Sequence, residues 1–154
     1  MSFKELSDSI VAQHHSLLRR ELPKISALIE QLSLDQTNAC ADFSATISEA
    51  DKMFSKIRRK IEQHLHDEET VLFPMGAALQ SGEEIPASDF DVMERLSEME
   101  KEHDNCGNAL IKLADMLNTL PQSKILQETL QQLKVVSTDM DIHVEKENTQ
   151  VHPL

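Results

Sequence analysis

The sequence predicts an all-α protein, an antiparallel up-down four-helix bundle, from three observations. Four long segments carry apolar residues at alternating spacings of four and three, the repeat of a single helix face. Aromatics make up only 3% of the chain, with no Trp and no Tyr, and strands are built largely from such residues. Glycine is limited to three positions, and no strand-like alternation is long enough to compete. With 154 residues and 40% of them hydrophobic, the chain can bury one core. Residues 1–154 are therefore expected to form a single domain.

The first segment runs from residue 4 to about 33, with Val11, His15, Leu18, Leu22, Ile25, Ile29 and Leu32 in register. Pro23 falls inside it and should bend the helix, because it lacks an N–H and clashes with the preceding turn. Ser33 to Asp42 is polar and reads as a connection. The second segment covers about 43 to 80, through Ile47, Ala50, Phe54, Ile57, Ile61, His64, Glu68 and Leu72, with a bend expected at Pro74. Ser81 to Pro86 is a loop, and Ser88 or Asp89 is placed to cap the third segment. That segment, about 88 to 119, aligns Val92, Leu96, Met99, His103, Cys106, Leu110, Leu113, Leu117 and Leu120 before Pro121 breaks it. The fourth, about 122 to 150, aligns Leu126, Leu130 (or Thr129), Leu133, Val136, Met140, His143 and Glu147. Short to moderate connections between amphipathic helices favour antiparallel neighbours.

The formal charge of −12 excludes two classes of partner, since nucleic acid and anionic membrane both call for a basic surface. The basic knot Arg58-Arg59-Lys60 reads as a solvated helix face. No apolar run approaches a membrane span, and the first residues lack the apolar core of a signal peptide. A cytoplasmic location is expected. Cys40 and Cys106 do not make a disulfide framework, and reduced thiols are the default in that compartment.

Each stripe carries a histidine where an aliphatic belongs: His15, His64, His103 and His143. Two of them have a glutamate one turn on, Glu68 and Glu147, within matching H-x3-E-x5-P stretches. At 1.5 Å per residue the depths of these positions agree to within roughly 8 Å, so all six can share one layer of the core. A single histidine on an apolar face is usually a packed core residue. A buried carboxylate is harder to dismiss, because its desolvation costs several kcal/mol unless it is paired or binds a metal. His14 and His66 lie about 100° and 200° round their helices from His15 and His64, so both should face away from the layer, at the surface or rim. His152 is left undecided. Cys106, in the stripe one turn from His103, needs no role beyond that of a small buried hydrophobe.

Imidazole with carboxylate and no thiolate suits iron or manganese, and zinc less distinctively. Six protein ligands exceed one tetrahedral zinc but suit two ions. Four imidazoles and two bridging carboxylates fill eight of about twelve octahedral positions, leaving room for a bridging oxide or hydroxide and for a small ligand. The ferritin-like plan needs Glu-x-x-His on two helices, and only Glu100 with His103 supplies it, so that plan fails.

The stretches H14-H-S-L-L-R-R-E-L-P, H64-L-H-D-E-E-T-V-L-F-P, E102-H-D-N-C-G-N-A-L and D141-I-H-V-E-K-E-N resemble the hemerythrin-like, or HHE cation-binding, domain family. Within it the pattern is most similar to the di-iron proteins called repair of iron centres. The resemblance implies a non-haem di-iron site, oxo- or hydroxo-bridged, with His15, His64, His103 and His143 as terminal ligands and Glu68 and Glu147 as bridges. Manganese or zinc could substitute. It further implies binding of a small diatomic, dioxygen or nitric oxide, or iron handling in oxidative or nitrosative stress, with iron-sulfur proteins as candidate partners. A peroxidase-like or nitric-oxide-reductase-like redox activity at the same site is the enzymatic alternative. The chain departs from the repair branch in having no His from 16 to 63, and the cysteine-bearing N-terminal domain usual in that branch is not expected here. It departs from oxygen carriers on the third helix, where Met99 and Gly107 stand in the turns flanking His103.

Overall fold

A computed structural model of the chain describes residues 2–35, 40–80, 82 and 92–147, and these are all-α. The first arm of the bundle is three joined pieces: α1 (Phe3–Ile10), a π-helical turn (Val11–His15) and α2 (Ser16–Leu34). The second is built the same way, from α3 (Ala41–Asp67), a π-helical turn (Glu68–Leu72) and α4 (Phe73–Gln80). The third and fourth arms are single helices, α5 (Val92–Leu117) and α6 (Lys124–Lys146). Helix α2 packs on α3 and α6, and α5 packs on the same two, so the four arms close a ring in up-down order. No described helix is long and apolar enough to cross a membrane.

Local chemistry sets the ends. Ser2 and Glu5 form a reciprocal capping box, Ser2 Oγ accepting from the Glu5 N–H at 3.1 Å while Glu5 accepts from the Ser2 N–H at 2.9 Å. Ser123 caps α6 by accepting from the Leu126 N–H at 3.1 Å. Helix α5 ends at Leu117, two residues short of the predicted stop, where i→i+3 bonds from Thr119 and Leu120 tighten the last turn. Pro23 lies inside α2 without ending it. Pro74 follows the second π turn and occupies the second position of α4. Gly82 sits in a turn at φ +78°, a conformation glycine adopts freely. The rest of the predicted 81–86 loop and the Ser88 or Asp89 cap lie outside the described residues.

The core follows the stripes. Leu18, Leu22, Ile25, Ile29 and Leu32 from α2 meet Ile47, Ala50, Phe54, Ile57, Ile61 and Leu65 from α3. Leu110, Leu113 and Leu117 from α5 and Leu126, Leu133, Val136 and Met140 from α6 complete it. Between the alternatives at 129 and 130 the structure buries Thr129, whose hydroxyl is satisfied by the Ile125 carbonyl at 2.7 Å. A second, smaller cluster joins Phe3 and Ile10 to Phe73, with the Phe3 and Phe73 rings edge to face at 6.4 Å. Phe3 lies directly over Gly76, where any Cβ would run into its ring. This closes one end of the bundle, immediately beyond the histidine layer.

Candidate metal centre

All six polar residues of the stripes meet in one buried layer. His15, Glu68 and Glu147 are inaccessible, and His64, His103 and His143 are at most 7% exposed. His15 ends the first π turn, Glu68 begins the second, and Glu147 caps the C-terminal end of α6. Wide turns of this kind recur at functional sites because they re-aim side chains without ending the helix. The four Nε2 atoms point inward. His64 Nε2 and His103 Nε2 are 2.7 Å apart, and His15 Nε2 and His143 Nε2 are 3.3 Å apart.

The ligand atoms fall into two overlapping quartets, His15–Glu68–His143–Glu147 and His64–Glu68–His103–Glu147, each with its four atoms within 4.8 Å of one another. Both glutamates belong to both. Glu68 Oε1 lies 2.6 Å from His64 Nε2, 3.7 Å from His143 Nε2 and 3.9 Å from His15 Nε2. Glu147 reaches His143 Nε2 at 2.5 Å with one oxygen and His103 Nε2 at 3.3 Å with the other. Neither oxygen of Glu68 takes part in a hydrogen bond of normal geometry despite complete burial. Lone-pair donors crowded together, with an unsatisfied carboxylate at the centre, fit cations rather than a hydrogen-bonded network.

Electrostatics agrees. Burial pushes Glu68 above the usual carboxylate range, and the charge of Glu147 adds to this; burial likewise raises Glu147. Burial holds His15, His103 and His143 down at about 4. Burial would also lower His64, but the hydrogen bond it gives to Glu102 and the adjacent Glu68 carboxylate outweigh this and push it up to about 10.

Behind these six residues stand partners that the spacing argument did not find. Glu102 accepts from His64 Nδ1 at 2.9 Å. Glu69 lies 3.8 Å from His15 Nδ1 and is itself held by both terminal nitrogens of Arg19. His14 requires a correction: it is not at the surface or rim but 5% exposed, hydrogen-bonded to Asp139 and Lys146. The expectation assumed an α-helical 100° step, whereas Ser16 N–H bonds back five residues to Val11, and the wider turn brings His14 and His15 both inward. The signal available in the sequence was Asp139, one turn before His143 on the same face. His66 is exposed, as expected, and His152 lies outside the described residues. Cys106 is buried against the layer, and burial pushes its thiol up; Cys40 is exposed.

The family model for the hemerythrin HHE cation-binding domain matches residues 7–154. The chain belongs to the hemerythrin HHE family. No curated protein matches it. Membership in a cation-binding hemerythrin family accords with two buried quartets of nitrogen and oxygen donors. In this hemerythrin domain the position one turn beyond His103 is Gly107, with open space where a side chain would be.

Proposed function

We propose that this hemerythrin-like protein holds a non-haem di-iron centre and binds a small diatomic, dioxygen or nitric oxide, or handles iron during oxidative or nitrosative stress. The observation that carries the reading is the sharing of Glu68 and Glu147 between both quartets. A carboxylate used twice suits two adjacent ions, and its two oxygens can each take one. His15 and His143 would hold one ion, His64 and His103 the other. Two iron ions would supply open coordination positions and electrons; the chain supplies a buried, water-poor setting and fixed donors. A small cavity, about 10 Å³ for the centre of a water-sized molecule, lies against His64, His103 and His143. Its other walls are Leu18, Ile61, Leu65, Glu102, Cys106 and Met140. That space admits about one small molecule and offers a mostly apolar surface, which suits a diatomic better than an ion or a metabolite. The charge of −12 speaks against nucleic acid and anionic membrane as partners, and a cytoplasmic setting fits the absence of a required disulfide.

Iron-supplemented expression followed by metal counting and an optical spectrum of the oxidised protein tests this. Two irons per chain are expected, and H64A combined with E68A should abolish both. Less than one iron per chain, unaffected by those substitutions, would overturn the reading. The enzymatic alternative, peroxide or nitric oxide reduction at the same site, separates in single-turnover mixing of the reduced protein. A stable adduct supports binding, and return of the oxidised centre with product supports turnover. Repair of iron-sulfur proteins predicts instead that loaded protein passes iron to a cluster-depleted acceptor.

A further inference from the structure

Resting on the two-ion reading above, we infer that His14 is a positioning residue for His143, an imidazole clamped at both nitrogens that fixes the plane of its neighbour. Two of the other inward histidines have supports of a different kind. His64 is held at Nδ1 by Glu102, and the His15 ring stacks on Phe73 at 5.9 Å and 15°. His143 has a buried Nδ1 with no hydrogen-bond partner, and its contact with Glu147 is at Nε2, the atom a metal would take. What lies against its face is His14, with ring centroids 5.6 Å apart and planes within 6°.

The His14 ring cannot turn. Lys146 Nζ lies 2.9 Å from His14 Nε2, and an ammonium only donates, so Nε2 is the acceptor. The proton is then on Nδ1, which donates to Asp139 Oδ1 at 2.8 Å. Asp139, His143 and Lys146 are successive turns of α6, so the helix that carries the ligand also carries both anchors of the ring that braces it. A free imidazole at position 143 would sample several χ2 orientations, few of which aim Nε2 at the layer. Outer partners that orient a ligand typically change metal affinity 10- to 100-fold.

The test uses the whole chain with zinc as a diamagnetic probe, followed by residue-resolved NMR of the histidine rings. In the wild type, His15, His64, His103 and His143 should all respond by two equivalents; zinc binding at none of them would defeat the two-ion reading itself. In H14A the His64 and His103 signals should respond at wild-type zinc concentrations, while His15 and His143 should need at least about tenfold more. D139A should produce the same selective loss, and the H14A/D139A pair should cost no more than H14A alone, because the two act as one unit. H14F restores a stacked ring without anchors and should fall between H14A and wild type. Unchanged binding in H14A and D139A, or equal weakening of all four histidines, would overturn the inference. Should H14A fail to fold, D139A carries the same test.

Discussion

Glu68 is the residue on which the chemistry and the stability of the protein pull in opposite directions. It is wholly buried, lacks a properly aligned hydrogen-bond donor, and is raised by burial and by Glu147. In metal-free protein, removing its charge should therefore be neutral or stabilising, by about 1 kcal/mol for E68Q. The same change should weaken both ions, since both quartets use this carboxylate. Chemical denaturation in chelator, set beside metal titration, reads the two effects separately. The protons give a second prediction. Binding requires neutral imidazoles and ionised carboxylates. His15, His103 and His143, held down at about 4, are already neutral at pH 7 and release nothing. His64, pushed up to about 10, must lose a proton. Metal and protons thus compete, so affinity should rise with pH, about tenfold per unit for each proton displaced. Calorimetry in two buffers of different ionisation enthalpy counts those protons, and none released at pH 7 would contradict the assignment.

At the scale of elements, the two π turns deliver His15 and Glu68, and the α1–α4 contact covers them. Gly76 makes that contact possible, because Phe3 occupies the space of its missing side chain. G76A should lift α1 from α4 and cost about 1–3 kcal/mol, as overpacking does. It should also raise hydrogen exchange in α1 more than in α3. Ser123→Ala, which removes the α6 cap, should cost about 1 kcal/mol, read by thermal or denaturant unfolding. Much of this level could be read from the chain. The alternation of threes and fours located all four arms, and polar residues within those stripes picked out the six that converge. Periodicity assumes one turn length, however. A π turn changes the angle per residue locally, so His14 was aimed outward and the pairs Glu102–His64 and Arg19–Glu69, which join different arms, had no sequence spacing to reveal them.

For the whole molecule, the histidine layer divides the core into a long apolar body and a short aromatic cap. The body is made of Leu and Ile positions on four arms, while the cap rests on Phe3, Ile10 and Phe73. Because the layer ties all four arms together, ions bound there stabilise only the folded state. At free metal one hundred times the dissociation constant, unfolding should become about 2.7 kcal/mol harder for one ion. A chelator should lower the melting temperature accordingly, and E68Q should remove most of that difference. The Arg19–Glu69 pair is surface-accessible, so R19A should change stability by less than about 1 kcal/mol.

The two quartets have half of their members in common, and this has a thermodynamic consequence. If the centre takes two ions, neither has a private site: whichever arrives first sets the charge and orientation of Glu68 and Glu147 for the other. The coupling is reciprocal, so whatever the first does to the affinity of the second, the second does equally to the first. If ordering and neutralising the carboxylates outweighs repulsion between the cations, half-loaded molecules will be scarce and the protein will fill and empty cooperatively. If repulsion wins, a singly occupied form will persist over a wide range of free metal, with one ion tightly kept and one readily exchanged. The population of that intermediate, measured across a titration, distinguishes a centre that keeps its ions together from one that lends a single ion.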